Sequence, residues 1–133
     1  MARREPRELT VIGSKRITTN MHRVTLGGKG MRDFPEDHEG GYVKLNFPQP
    51  DSERPITRTY SVYFQRENEI DIDFVLHGDG GPASRWAVDC RDGETIMVGG
   101  PGPKTLVDYQ ADWFLLAGDM TALPAISVNI KQL

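Results

Sequence analysis

Apolar and polar residues alternate with a period of two through most of the first hundred positions. LTVIGSKRIT (9–18) and HRVTLGG (22–28) alternate and are rich in β-branched side chains, which predicts two strands joined near Asn20. YVKLNF (42–47) predicts a third, with Tyr42, Lys44 and Asn46 on one face and Val43, Leu45 and Phe47 on the other. TRTYSVYFQ (57–65) and IDIDFVL (70–76) flank the turn REN and read as a hairpin, and TIMVGG (95–100) is a further strand. Between these runs, GKGMRDFPEDHEGG, the proline-rich PQPDSERP and PGPK read as loops. PASRWAVDC (82–90) reads as a short helix with Pro82 in its first turn. About six strands and one helix suit a closed antiparallel barrel, because closure removes exposed edges.

The pattern changes near the C-terminus. DWFLLAG (112–118) is a continuous apolar run of the kind found in a strand buried on both faces. ALPAISVNIKQL (122–133) then reads as a helix with Thr121 as its cap. Strand, polar turn and helix form the opening unit of an α/β domain, which places a boundary near Lys104–Asp112. The expected organisation is a barrel over residues 1–108 and an incomplete α/β domain over 109–133. With Phe114, Leu115 and Leu116 uncovered, residues 113–133 are expected to self-associate or to remain disordered.

Composition narrows the function classes. A chain of 133 residues with 26% charged residues and a net charge of −3 does not fit a polyanion binder working through bulk charge, so no nucleic-acid partner is expected. Arg3, Arg4 and Arg7 read as a solvated, frayed terminus. No apolar run reaches membrane-spanning length, and no membrane insertion is expected. The single cysteine, Cys90, reads as a buried structural thiol, consistent with a cytoplasmic setting. Asp71, Asp73, His77 and Asp79 do not form a metal site by spacing, and His22 and His38 lie in distant segments.

The candidate chemistry lies in the hairpin. With Glu67 and Asn68 as turn residues, Arg66 pairs with Glu69, and counting back sets Arg58 opposite His77 and Tyr60 opposite Val75. This register points Thr59, Ser61 and Tyr63 inward with Ile70, Ile72, Phe74 and Leu76, and leaves Arg58 and Tyr60 outside beside Asp73, Val75 and His77. It also brings Arg58 to HGDGGPAS, which offers the backbone N–H groups of Gly80 and Gly81, the Ser84 hydroxyl and a helix start. An arginine beside such a helix start suits a pyrophosphate, and Tyr60 suits a flat heterocycle. Together they describe a dinucleotide site, best matched by FAD, with Trp86 as a core side chain that also walls the ligand.

RTYSV, IDFVLHGDGGPASRWA, VGGPGP and FLLAGDMTALPAI, in this order, resemble the siderophore-interacting protein family, the FAD-dependent ferric-siderophore reductases of the ferredoxin-reductase superfamily. The resemblance implies a mainly β, six-stranded flavin-binding barrel followed by a Rossmann-like α/β nicotinamide domain. It implies that Arg58 and Ser84 hold the pyrophosphate, Tyr60 stacks on the isoalloxazine, and Thr59 and Ser61 serve the same strand, Ser61 near flavin N5 through its backbone N–H. Asp73, Val75 and His77 would flank the flavin, Gly81, Pro82 and Ala83 shape the phosphate turn, and Thr121 and Ala122 approach from the second domain. Lys44 is nominated to attract an anionic ferric siderophore. Met120 departs from the family, which usually has an acidic residue there. The implied activity is transfer of electrons from NAD(P)H through FAD to Fe(III). The alternatives are a general flavin reductase or ferredoxin-reductase-like electron transferase, and a non-catalytic barrel binding module.

Overall fold

The computed structural model describes residues 5–78 and 80–133. Arg3, Arg4 and Asp79 lie outside the described residues. The described chain forms strands β1 (Arg7–Thr18), β2 (Met21–Gly27), β3 (Tyr42–Gln49), β4 (Ser52–Ser61), β5 (Phe64–Arg66), β6 (Glu69–Val75) and β7 (Thr95–Gly102). Helix α1 (Pro82–Asp89) lies between β6 and β7, and α2 (Leu123–Lys131) follows them. All the strands belong to one antiparallel sheet in the order β4-β3-β7-β1-β2-β6-β5. The sheet curls over its apolar face into a half-barrel without closing: β4 and β5 remain as its two edges, where a closed barrel was expected. Leu9, Val24, Leu26, Val43, Leu45, Ile70, Ile72 and Phe74 fill the interior with no exposed area. The alternation in YVKLNF holds: Val43, Leu45 and Phe47 point in, while Tyr42, Lys44 and Asn46 point out.

The seventh strand arises because TRTYSVYFQ breaks in two. Val62 donates its N–H to the Gly41 carbonyl, beside β3, whereas Tyr63 donates to the Asp71 carbonyl on β6. Two neighbouring residues thus bond to opposite ends of the sheet, and the Val62 side chain is wholly buried at the switch. The β5–β6 hairpin has the expected register, with Arg66 opposite Glu69 and Asn68 at φ 64°. The register does not carry back into β4. That strand pairs with β3, setting Val43 opposite Tyr60 and Leu45 opposite Arg58. Directly opposed residues share a face. Arg58 and Tyr60 are therefore on the inward-pointing row and Thr59 and Ser61 on the outer row, the reverse of the expectation, because the break shifts the count by a residue.

Other expectations are corrected in the same way. PQPDSERP is mostly strand: β3 runs to Gln49 and β4 starts at Ser52, leaving Pro50 and Asp51 as the turn. Pro55 is accommodated because β4 is an edge strand, and Pro48 coincides with a register shift. Strand β7 continues through Gly102, into the segment expected to be loop. Arg7 is not a frayed solvated side chain. It sits in β1, donates to the carbonyls of Gly30 and Arg32, and lies 5.2 Å from the Phe34 ring centroid.

The C-terminal strand is absent. Among the described residues DWFLLAG has no ladder partner, and Trp113 and Leu115 are 75% and 79% exposed. A strand needs a neighbour to bond with, and none of the described strands lies beside it. The cap of the following turn is Asp119, not Thr121: its carboxylate accepts from the Thr121 backbone N–H at 2.9 Å. Asn129 ties α2 to the preceding segment, accepting from the Val107 N–H and donating to the Thr105 and Ala125 carbonyls.

One interior side chain conflicts with its surroundings. His22 on β2 sits opposite Phe74, is 8% exposed, and neither ring nitrogen has a partner among the described residues. Burial, aided by Arg16, holds its pKa below the usual 6.5.

Two outcomes follow from this architecture. Val62→Ala removes two methyls from the closure point and is expected to cost about 1.5–3 kcal/mol in urea unfolding. A loss near zero would mean the closure does not depend on packing there. For His22, the unfolded state takes up a proton below about pH 6.5 that the folded state resists, so stability falls as pH drops through that window. Asp71, held below its ordinary range, contributes only at lower pH. Thermal unfolding at pH 7.5 and 5.5 should show a larger drop for the natural chain than for His22→Leu; equal drops would contradict this.

Candidate functional site

Because β4 is an edge strand of the sheet, both rows of its side chains border the space beside it. A cleft of about 370 Å³ opens there, lined by Arg58, Thr59, Tyr60 and Ser61 of β4. Asp73, Val75 and His77, at and beyond the end of β6, form a second wall. The start of α1 (Gly81, Pro82, Ala83 and Ser84) forms a third, and Thr121 and Pro124 approach from the far side. The expected residues are thus brought together, though by the curl of the sheet and not by β4–β6 pairing. Ala122 and Lys44 do not line the cleft. Lys44 is exposed on the outer row of β3, opposite Thr59. Pro124 was not anticipated; its signal was a proline at the head of the predicted helix.

The Tyr60 ring is braced from within. It packs on Phe74 at 4.6 Å between centroids, and Phe74 in turn meets Trp86 at 5.9 Å. Burial raises the Tyr60 pKa above its ordinary 10, so the phenol is neutral. Arg58 is exposed and its Nη1 donates to the Thr57 carbonyl at 3.0 Å, which leaves most of its guanidinium donors to the cleft. Trp86 is half-buried and packs against the core, as expected.

Two expected donors are already used. The Ser84 hydroxyl donates to the Val75 carbonyl at 2.9 Å and is buried, so it anchors α1 to β6 instead of offering its proton to a phosphate. The Gly80 N–H bonds to the His77 carbonyl at 3.0 Å. The backbone N–H groups of Ala83 and Ser84, in the first turn of α1, have no intrahelical acceptor and supply the anion-binding chemistry of a helix start. Pro82, with no N–H, suits the same turn. Cys90 sits at the other end of α1, its thiol bonded to the Ala87 carbonyl, and burial raises its pKa.

Asp73 is not a free charge. Arg23 grips it with two hydrogen bonds of 2.7 and 2.9 Å while lying over the Tyr63 ring at 4.3 Å. This partner was missed because only the β2–β6 register, Arg23 opposite Asp73, reveals it. At the mouth, Asp119 bonds to Thr121 through both backbone and hydroxyl, and those bonds hold its carboxyl below the usual range, with His77 adding a smaller contribution. Among the described residues no group of three His, Cys, Asp or Glu side chains could hold a metal ion. No helix there is long and apolar enough to cross a membrane.

An aromatic platform, an arginine and a helix start, converging on one cleft, fit a flavin dinucleotide. The donor set is suitable, and the glycine at the turn keeps the approach to α1 clear of side chains.

Comparison with known proteins agrees. Residues 10–55 and 49–105 match the siderophore-interacting FAD-binding domain. The ferric vibriobactin reductase ViuB of Vibrio cholerae is 36% identical over 96% of this chain and 54% of its own length. The NADPH-dependent ferric-chelate reductase of Escherichia coli is 32% identical, covering 96% of this chain and 57% of that protein. The structure of the siderophore-interacting protein SipS from Aeromonas hydrophila superposes with a TM-score of 0.77 at 35% identity, over 97% of this chain and 54% of SipS. At lower identity the fold is shared with ferredoxin-reductase-like flavoproteins. The chain spans about half the length of the curated relatives it matches. It belongs to the siderophore-interacting FAD-binding domain family.

Proposed function

We propose that this chain supplies the FAD-binding barrel of a ferric-siderophore reductase. The observation that carries the reading is the meeting of Tyr60, Arg58 and the first turn of α1 in one cleft. Arg58 and the Ala83 and Ser84 N–H groups would hold the pyrophosphate, with Gly81 and Pro82 shaping the turn. Tyr60, neutral and braced by Phe74, would carry the isoalloxazine, with Thr59, Ser61, Val75, His77 and the Arg23-bound Asp73 along its rim. Thr121 would close the far side, with Ala122 setting the turn behind it. FAD held there would supply hydride acceptance from NAD(P)H and one-electron transfer to Fe(III), and reduction of the iron would weaken its hold on hard oxygen chelators.

The protein's part in this is placement and charge. An outer-sphere electron step requires no acid–base residue, and none is assigned. Lys44, exposed and one strand from the cleft, would draw in the anionic chelate. We assign residues 109–133 to the beginning of an α/β nicotinamide unit and residues 1–108 to the barrel; the end of the last ladder strand at Gly102 supports a boundary beyond it. The exposed Trp113 and Leu115 support association through this segment, and the lone cysteine supports a cytoplasmic setting.

The direct test mixes photoreduced, FAD-loaded protein with a ferric catecholate in stopped flow. Reoxidation should saturate with chelate concentration, unlike that of free reduced FAD; a linear dependence identical to free flavin would overturn the reading. Arg58→Ala should weaken FAD by about 1.5–3 kcal/mol while sparing riboflavin, because the arginine faces the pyrophosphate. Equal losses for both ligands would assign Arg58 to the fold or the ring. Lys44→Glu should leave the flavin spectrum intact and raise the half-saturating concentration of an anionic ferric chelate, more so at low ionic strength. An equal effect on a neutral chelate would rule out electrostatic attraction.

A further inference from the structure

Two arginine–carboxylate pairs lie on the outer row of β2, β5 and β6, and they border different spaces. Arg66 donates from both terminal nitrogens to the Asp71 carboxylate, at 2.7 and 3.0 Å, and Asp71 also accepts from the Thr25 hydroxyl. Both members of this pair line an outer cleft of about 660 Å³, together with Lys15, Tyr63 and Lys131. Asp73 is two residues further along the same row of β6. It lines the flavin cleft, whereas its partner Arg23 lines the outer one. The Arg23–Asp73 pair is therefore a partition between the two clefts.

This partition is held rigidly. The Arg23 and Asp73 side chains are 18% and 7% exposed, so both charges are largely out of water. The two parallel hydrogen bonds fix the guanidinium plane against the carboxylate, a geometry that a lysine cannot reproduce. The Tyr63 ring, 4.3 Å from the guanidinium, supports it from the β5 side. The Lys131 ammonium of α2 meets the same ring at 4.6 Å, so the C-terminal helix backs the stack. Without Arg23, Asp73 would stand in the cleft wall as a buried, uncompensated charge.

We propose, resting on the flavin reading of the first cleft, that Arg23 sets the reduction potential of the bound flavin by cancelling the charge of Asp73. Hydride from NAD(P)H brings an electron pair and a proton to the isoalloxazine, leaving NAD(P)+ and one negative charge on the reduced ring. An unpaired carboxylate in the wall repels that charge and favours the oxidised state, the more strongly because the cleft excludes water. With the pair intact, Asp73 lines the cleft without opposing reduction. Arg23 does not line the flavin cleft, so it is a positioning residue that acts through Asp73.

The test is a spectroelectrochemical titration of the full chain loaded with FAD, repeated for Arg23→Gln, Asp73→Asn, the double variant, Tyr63→Leu and the control Arg66→Gln. Arg23→Gln should lower the midpoint potential, equivalent to reduced FAD losing about tenfold in affinity relative to oxidised FAD. Asp73→Asn should raise it, because the arginine is then left unpaired, and the double variant should return close to the natural value. Tyr63→Leu should lower the potential by less; with Asp73→Asn it carries the test if Arg23→Gln does not fold. Arg66→Gln should leave it unmoved, since its carboxylate partner does not line the flavin cleft. Shifts of the same sign in Arg23→Gln and Asp73→Asn would mean that the pair serves only the fold, and would overturn the proposal while the flavin reading stands. So would an unchanged potential in both, or an equal shift in Arg66→Gln. A natural chain that binds no FAD would overturn the flavin reading, and the role of Arg23 with it.

Discussion

The structure depends on one change of partner in the middle of a strand. Val62 bonds to the residue before β3 and Tyr63 bonds to β6, so the two ends of a sheet are joined by consecutive peptide units. The wholly buried Val62 side chain holds this point in the core. Curling brings Tyr60 over Phe74 although β4 and β6 share no ladder. It also leaves β4 as a free edge, and a free edge with inward-leaning aromatic and arginine side chains is what makes room for a flat, charged ligand. A sheet closed by continuous β4–β6 hydrogen bonding would have filled the cleft with its own backbone.

Secondary interactions then fix each wall. Ser84 anchors the start of α1 to the Val75 carbonyl, so the helix N–H groups face the cleft from a set position. Arg23 neutralises Asp73 while resting on Tyr63, which keeps a buried carboxylate beside the cleft without an uncompensated charge. Asp119 holds the turn that presents Thr121. These contacts use side chains that sequence reasoning assigned to the ligand itself. Ser84 and Asp73 are better understood as positioning residues whose polar groups are already satisfied by the protein.

Much of the fold was legible because alternation is a local signal. The β3 pattern and the Arg66–Glu69 register follow from spacing alone, as does the start of α1 at Pro82. The membership of the cleft was legible because the motif residues lie in contiguous stretches. Facing in β4 was not, because a break at Val62–Tyr63 offsets the count, and nothing in TYSVYF marks where hydrogen bonding changes partner. The absent strand at DWFLLAG failed for another reason. Apolarity says a segment wants cover, but pairing depends on which neighbours are placed beside it. The Arg23–Asp73 pair required the β2–β6 register, a contact fifty residues apart in sequence.

On this reading the edge of the half-barrel and the first turn of α1 together hold FAD. The most direct measurement is the visible absorption spectrum of the purified protein after mixing with FAD and removing the excess, with the released flavin identified by chromatography. A yellow protein carrying close to one FAD per chain is expected, with the bands of a stacked, partly desolvated flavin. A colourless protein, or one that releases its flavin completely on desalting, would contradict it.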